Sequence, residues 1–133
     1  MTKNTFSDLT IIIPAYNEED GLKATLPLVI EAFPEAEIMV VNDCSTDDTL
    51  DSARSFPDVK VTSHDFNRGQ GAALVTGMAA ATKKYVAWFD ADNEHRTEDL
   101  MNLYNSIKDK NKAAVIGQRT NGSANWIRGS GKF

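Results

Sequence analysis

The sequence YVAWFDAD, residues 85–92, decides the fold that we expect for this chain of 133 residues. Its first five residues form an apolar run of strand length, which is typical of a parallel strand buried on both faces. The run ends in Asp90 and Asp92, and side chains two residues apart in an extended chain point the same way. Open α/β sheets bind ligands at the carboxyl ends of their strands. The stretch therefore predicts a ligand site at the end of a central strand.

The spacing of Asp90 and Asp92 leaves two interpretations open. Two converging carboxylates repel each other unless a cation lies between them, and Mg²⁺ or Mn²⁺ prefers oxygen ligands and is often shared with a substrate phosphate. Ala91 leaves room for a ligand against the backbone, and Glu94 is close enough in sequence to supply a third oxygen. In the other interpretation, Asp90 ends the strand and Asp92 caps the turn after it.

The composition indicates one globular domain over residues 1–133, with 41% hydrophobic and 25% charged residues. Because we find neither a signal peptide nor an apolar segment of membrane-spanning length, we expect a cytoplasmic protein. The single cysteine, Cys44, fits a reducing compartment. A net charge of −5 argues against a nucleic-acid partner and means that an anionic substrate needs a local cation.

Strand-like and helix-like segments alternate along the chain, which predicts an α/β fold with a mostly parallel, doubly wound sheet flanked by helices. The predicted strands are residues 9–13, 37–43, 59–63, 85–89 and 113–119. Pro14 is expected to end the first strand, and Pro27 to kink or restart the helix that follows. Residues 45–48, STDD, resemble a capping box, from which we expect a helix to begin at Thr46. The third strand is polar, which predicts an edge position.

The loop after the third strand contains two glycines, Gly69 and Gly71, ahead of an alanine-rich helix. Neither GxxxxGK[ST] nor GxGxxG is present, so a phosphate-binding loop is not favoured. Permitted backbone dihedral angles and close helix packing are the preferred reasons for both glycines. His64 has no nucleophile near it in sequence, which indicates a structural role.

Asp43 and the carboxyl-terminal cations are further candidates for ligand binding. Asp43 follows the second strand, where a carboxylate could accept hydrogen bonds from a nucleobase or a ribose, although taken alone it is better explained as a turn residue. The carboxyl-terminal segment, residues 119–133, is locally cationic, because it contains Arg119, Arg128 and Lys132. This segment suits either a solvated terminus or contacts with phosphate.

Four motifs in this order and at these spacings resemble those of the family 2 glycosyltransferases. They are IIIPAYNEE (residues 11–19), VVNDCSTDDT (40–49), NRGQGAA (67–73) and DAD (90–92). The pattern is most similar to that of the polyprenyl-phosphate sugar transferases, such as dolichol-phosphate mannose synthase, which also share a strand ending like VIGQR (115–119). The resemblance covers about residues 9–130 and implies a Rossmann-like GT-A fold.

The resemblance implies a nucleoside-diphosphate sugar as the donor and Mg²⁺ or Mn²⁺ as the cofactor. The residues that match the nucleoside-binding positions of the family are Pro14, Tyr16, Glu18, Val41 and Asp43. The residues that match its ribose, diphosphate and metal positions are Asp90, Ala91 and Asp92. Glu94, where relatives often have Gln, adds a negative charge beside the metal as a further ligand. Asp92 and Arg119 are the expected catalytic residues, and Arg119 and Arg128 the expected contacts of an acceptor phosphate.

Members of this family usually continue for many tens of residues, so residues 1–133 are expected to be a short nucleotide-sugar-binding domain. In the alternative, a partner subunit or a second copy supplies the acceptor site. The leading hypothesis is a metal-dependent, inverting glycosyltransferase core at the membrane periphery, because a lipid phosphate acceptor is already ionised and needs no general base. The alternative is a nucleotide-sugar-binding module without transferase activity. A dinucleotide-dependent oxidoreductase is disfavoured, since PAYN (14–17) stands where that class has a glycine turn.

Overall fold

The computed structural model describes residues 5–91 and 96–109, and the backbone of residues 114–118 and 125–129. Its strands and helices alternate up to the last strand. In chain order they are β1 (Leu9–Ala15), α1 (Glu19–Ala32), β2 (Glu37–Asn42), α2 (Thr49–Arg54), β3 (Lys60–Ser63), α3 (Gln70–Ala80), β4 (Tyr85–Trp88), α4 (Thr97–Asp109), β5 (Ala114–Gln118) and β6 (Asn125–Gly129).

The strands form one sheet in the order β3-β2-β1-β4-β5-β6. The pairs from β3 to β5 are parallel, which confirms the doubly wound α/β prediction, and β3 lies at an edge as expected. β6 was not predicted, since residues 120–133 were interpreted as a tail. It pairs antiparallel with β5, from Gln118 opposite Asn125 to Ala114 opposite Gly129, and forms the other edge.

Pro14 does not end β1, because the strand continues to Ala15. The difference is explained by the neighbouring strand toward which the backbone of Pro14 points. Ile12 accepts a hydrogen bond from the N–H of Phe89 at 3.0 Å, so even-numbered residues of β1 point their backbone groups toward β4. Proline has no N–H to donate, and the pairing of β1 with β4 stops at Ile12, whereas its pairing with β2 continues through Ala15. The two central strands therefore separate at their carboxyl ends.

Side chains of alternate residues in β1 pack into two cores, one on each face of the sheet. Ile11 and Ile13 join the larger core with apolar side chains of α1 and α4. The apolar residues of those two helices that are at most 2% exposed are Leu22, Leu26, Val29, Leu100 and Tyr104. Ile12 belongs to a smaller cluster under α3. Among the described residues, no helix combines the length and the apolar character that crossing a membrane requires.

Two local expectations concern the helices α1 and α2. α1 is one helix from Glu19 to Ala32, so it is not restarted at Pro27, and the alternative, a kink there, stays a prediction. α2 begins at Thr49, so the expected start at Thr46 was wrong. Two residues of the supposed capping box bind a distant loop: Ser45 Oγ accepts the N–H of Asn17 at 3.0 Å, and the backbone N–H of Thr46 donates to Asn17 Oδ1 at 2.8 Å. These bonds hold the residues in a turn before the helix.

Candidate functional site

A cleft of about 450 Å³ opens at the carboxyl edge of the sheet, where β1 and β4 separate. β1 connects forward to β2 on one side of the sheet, and the chain later crosses to β4 on the other side, so the cleft lies at the topological switch point. It is lined by Pro14, Ala15, Tyr16, Glu18, Asp43, Asn67, Gly69, Gln70, Ala73, Asp90 and Ala91.

Six of the residues predicted to bind a nucleotide sugar share this cleft, namely Pro14, Tyr16, Glu18, Asp43, Asp90 and Ala91. Val41 does not line it. This side chain is fully buried in the small cluster with Ile12 and Ala73, so it supports the floor of the cleft. Asp92, Glu94 and Arg119 lie outside the described residues. Arg128 is in β6, and its side chain also lies outside them.

Asp43 is buried, with 3% of its surface exposed, and its carboxylate accepts three hydrogen bonds. Oδ1 accepts from Nδ1 of His64 at 2.7 Å and from the N–H of Arg68 at 2.9 Å, and Oδ2 accepts from the N–H of Gly69 at 2.8 Å. Burial opposes ionisation, but these bonds outweigh it and lower the pKa of Asp43. A carboxylate has about four acceptor positions, so the described residues leave one unused on Oδ2.

His64 connects Asp43 to α3. It is buried, and Thr76 Oγ1 lies 2.8 Å from its second ring nitrogen, Nε2. The ring thus has a partner on each side, which fixes its orientation and that of the Asp43 carboxylate. A structural role for His64 agrees with this arrangement, but its contact with Asp43 was not predicted. The two residues are 21 positions apart, and only the pairing of β2 with β3 brings them together.

The glycines after β3 have different roles. Gly69 has φ +94°, which confirms that its backbone needs a conformation unfavourable to other residues. Its N–H and that of Arg68 both donate to Asp43, so these amides are not directed at a phosphate. Close packing was the wrong reason for Gly71, because a Cβ there would meet no atom within 4 Å. The tightly packed glycine of α3 is Gly77, where a Cβ would lie 2.5 Å from Cγ2 of Ile12.

Asp90 lies at the other end of the cleft and is oriented by two side chains. Its Oδ1 accepts hydrogen bonds from Nε2 of Gln70 at 3.0 Å and from Nε1 of Trp88 at 2.9 Å. Neither partner was predicted. Trp88 could have been found, since residues two apart along an extended chain share a face. Gln70 belongs to the motif NRGQGAA, which was quoted for the family resemblance without any role for this residue.

The loops after β1 and β2 hold each other in place. The N–H of Glu18 donates to Thr49 Oγ1 at 3.0 Å, and the N–H of Asp48 donates to Glu19 Oε1 at 3.2 Å. Together with the bonds of Asn17, these contacts connect the motif PAYNEE to the motif STDDT. Much of both motifs therefore fixes the shape of the cleft wall rather than facing the cleft.

The described part of the cleft is acidic. Its lining includes the carboxylates of Glu18, Asp43 and Asp90 and no described Lys or Arg side chain. Over residues 5–91 and 96–109, no three His, Cys, Asp or Glu side chains come close enough to hold a metal ion together. Asp90 supplies one oxygen ligand of the kind that Mg²⁺ or Mn²⁺ prefers, next to the predicted ligands Asp92 and Glu94 in sequence. A diphosphate in this cleft would need a cation to offset the carboxylates.

The sheet order and the cleft at its switch point define an α/β protein of the class that includes the nucleotide-binding folds. Within that class, the sequence model of glycosyl transferase family 2 matches residues 10–130. The chain therefore belongs to this family. It is 33% identical over 129 residues to dolichyl-phosphate beta-glucosyltransferase ALG5D of Trichomonas vaginalis, covering 84% of this chain and 39% of that relative. This chain spans less than half the length of the curated relatives it matches.

Two solved structures show the same GT-A fold. S. aureus TarS 1-349 in complex with UDP matches with a TM-score of 0.65 and 28% identity, over 80% of this chain and 34% of that chain. The mannosyltransferase PcManGT of Pyrobaculum calidifontis, in complex with GDP-Man and Mn²⁺, matches with a TM-score of 0.57 and 33% identity, over 64% of this chain and 27% of that chain.

Proposed function

We propose that this chain is the donor-binding core of a metal-dependent, inverting glycosyltransferase that uses a nucleoside-diphosphate sugar. The observation that carries the proposal is the acidic cleft at the switch point, with a buried carboxylate at one end and Asp90 at the other. The UDP complex of TarS and the GDP-Man complex of PcManGT support a nucleotide ligand. The two ligands contain different bases, so donors with either base are candidates.

The nucleoside would lie at the Asp43 end of the cleft. The unused acceptor position of Asp43 Oδ2 can receive an N–H from a nucleobase or a ribose hydroxyl. Tyr16 is 47% exposed at the cleft, so its ring offers an apolar surface to a base. Pro14 and Glu18 complete this part of the lining. Val41 would support the base from below the surface.

The diphosphate would lie at the Asp90 end. Asp90, Asp92 and Glu94 would hold Mg²⁺ or Mn²⁺, which stabilises the charge of the departing nucleoside diphosphate when bound. Mn²⁺ in the PcManGT complex supports this choice of ion. Gln70 and Trp88 would keep the Asp90 carboxylate in position throughout, because both donate to its Oδ1. Arg119 would contact phosphate near the reacting carbon.

The acceptor that fits this chain best is a polyprenyl phosphate. An acceptor oxygen would form a bond to the anomeric carbon as that carbon's bond to the β-phosphate oxygen breaks, with inversion. A phosphate oxygen is already ionised, so the attack needs no general base. Arg119 and Arg128 would bind the acceptor phosphate, and the name of the Trichomonas relative supports a lipid acceptor. The enzyme would then work peripherally at a membrane, with the acceptor site completed by further chain, a partner subunit or a second copy.

Calorimetric titration with UDP-, GDP- and dTDP-sugars, with and without Mn²⁺, tests the donor site. We expect Mn²⁺ to raise the affinity, Asp92→Ala to abolish this gain and Asp90→Ala to reduce it less. Asp58→Ala is the control and should not change the affinity. Asp58 is exposed and lies just before the amino end of β3, whereas the cleft is at the carboxyl ends of the strands. Binding that is unaffected by EDTA would contradict the metal proposal.

A transfer assay separates the enzyme from the alternative, a binding module without activity by itself, which the short span of the chain favours. Sugar transfer from the bound donor to a polyprenyl phosphate is the expected result, and Arg128→Ala should raise the KM of the lipid more than that of the donor. Donor binding with no transfer to any acceptor would favour the binding module. Transfer to a free saccharide but not to the lipid would contradict the lipid acceptor.

A further inference from the structure

The first turn of α1 meets the turn after β4 at the level of the backbone. A Cβ atom added at Gly21 would lie 2.1 Å from the carbonyl oxygen of Ala91 and 3.0 Å from Oε2 of Glu18. Non-bonded carbon and oxygen atoms do not approach this closely, because contacts between heavy atoms are optimal near 3.5 to 4.0 Å. Any residue other than glycine at position 21 must therefore displace the turn, the helix or both.

The contacted carbonyl belongs to the peptide that joins Ala91 to Asp92. In sequence this peptide joins the middle residue of the DAD motif to the next residue, so a displacement of the peptide changes the direction in which the next side chain leaves the backbone. Ala91 is only 3% exposed. Asp90, the residue before it, is held by Gln70 and Trp88. The turn is thus fixed on its β4 side by side chains and on its other side by the backbone of Gly21.

The second neighbour of Gly21 is Glu18, the residue just before α1. Glu18 lines the cleft, and its N–H donates to Thr49 of α2. One added methyl group would consequently press mainly on the acidic turn, because the Glu18 carboxylate is the end of a flexible side chain and can move away. Gly21 thus adjoins two residues that line the cleft, Glu18 and Ala91, although it does not line the cleft itself.

We infer that Gly21 is a positioning residue that sets the distance between α1 and the acidic turn and thereby the geometry of the donor diphosphate and its metal. This inference rests on the proposed function. Gly21 contacts neither the nucleotide nor the metal, and it acts through the backbone of Ala91. Its absent side chain is therefore a requirement of the site as well as of the helix packing.

Two other glycines provide matched controls for Gly21→Ala. Gly77→Ala also introduces a short contact, 2.5 Å from Cγ2 of Ile12, but in the smaller cluster between α3 and the sheet. Gly71→Ala places a methyl group in open space within α3. All three variants make the same chemical change in a helix, and only Gly21→Ala presses on the acidic turn.

The experiment measures the affinity for UDP and GDP with and without Mn²⁺ in all three variants, together with their thermal unfolding. The gain from Mn²⁺ is the ratio of the affinity with Mn²⁺ to the affinity without it. We expect this ratio to be about tenfold smaller in Gly21→Ala than in the native chain, since small misplacements in a site have large effects. Its metal-free affinity should change by less than about twofold. Gly77→Ala should unfold at a lower temperature but keep the full Mn²⁺ gain per folded molecule. Gly71→Ala should also keep the full Mn²⁺ gain and should unfold at a slightly higher temperature, because alanine favours a helix.

An unchanged Mn²⁺ gain in folded Gly21→Ala would overturn the inference, and so would an equal loss in Gly77→Ala. If the native chain itself shows no Mn²⁺ gain, the proposed function fails and takes the inference with it, which distinguishes the two failures. Should Gly21→Ala not fold, Ala91→Gly replaces it, because this change loosens the same turn without adding an atom. A reduced Mn²⁺ gain in Ala91→Gly would then support the inference, and a full gain would overturn it.

Discussion

Two buried carboxylates lie at opposite ends of β2 and do different things. Glu37 is the first residue of the strand and is 7% exposed, and Asp43 follows its last residue and is 3% exposed. Burial opposes the ionisation of both, and hydrogen bonds to both outweigh it. The bonds to Glu37, led by that from Lys60, hold its pKa at about 2, below the ordinary value of 4.5. The pKa of Asp43 is also lowered.

The two carboxylates differ in how many acceptor positions are filled. Glu37 Oε1 accepts from Thr10 Oγ1 at 2.6 Å and from the N–H of Thr82 at 2.9 Å, and Oε2 accepts from Thr82 Oγ1 at 2.9 Å and from Lys60. All four positions are used, and Glu37 does not line the cleft. Asp43 has three bonds from described residues and lines the cleft. A saturated carboxylate stabilises the fold, whereas one with an unused acceptor at a cleft can also bind a ligand.

The strongest test of this comparison makes the same change at both ends of β2. Glu37→Gln turns an acceptor oxygen into an NH₂ group facing buried donors, so we expect the free energy of unfolding to fall by about 2 to 3 kcal/mol. Nucleotide affinity per folded molecule should not change. Asp43→Asn should lower stability by a similar amount and also weaken nucleotide binding by about 1 to 3 kcal/mol. Urea unfolding and calorimetric titration measure the two quantities.

Glu31→Gln is the control for these variants, because Glu31 is exposed on α1 and its change should have little effect. If Glu37→Gln weakens nucleotide binding as much as Asp43→Asn does, the proposed difference between the two carboxylates is wrong. It is also wrong if Asp43→Asn lowers stability without weakening binding, since Asp43 would then be only the turn residue that the sequence also allowed.

The fold could be predicted from the sequence because its strands carry a local pattern. β1, β2 and β4 are apolar runs that end in turn residues or carboxylates, and the helices between them have one apolar face. β6 has five residues, NWIRG, without alternation or a continuous apolar run, so nothing in its own sequence indicates a strand. Its pairing with β5 is what makes it one.

The candidate site could be predicted only in outline. Carboxylates at strand ends indicate which edge of the sheet binds a ligand, but their partners come from distant positions. His64 reaches Asp43, and Gln70 reaches Asp90, through crossovers that a local pattern does not specify. The start of α2 was mispredicted for the same reason, because Ser45 and Thr46 bind Asn17, nearly 30 positions earlier. The roles of the site residues in binding and catalysis stay predictions.

Acid should weaken the fold mainly through the amino end of β2. Unfolded Glu37 binds a proton near pH 4.5 and folded Glu37 only near pH 2. Between these values the unfolded chain binds more protons, so the free energy of unfolding rises with pH and is lost as the pH falls. We expect Glu37 to contribute about 3 kcal/mol to this loss, which urea unfolding at a series of pH values would measure. Glu37→Gln should flatten the dependence, and Glu31→Gln should not; equal slopes in both would contradict the assignment.

The smallest effect concerns the backbone that holds Asp43. Gly69 and Gly71 both have open space around a Cβ position, so substitution by alanine at either adds no clash. Gly69 has φ +94° and donates its N–H to Asp43, whereas Gly71 lies inside α3. Gly69→Ala should therefore cost about 1 to 2 kcal/mol of stability and weaken nucleotide binding as its N–H leaves Oδ2. Gly71→Ala should gain about 0.5 to 1 kcal/mol and leave binding unchanged, because alanine favours a helix. Thermal unfolding and titration of both variants check this difference, and a shift of the same sign in both would show that the backbone after β3 does not set the position of Asp43.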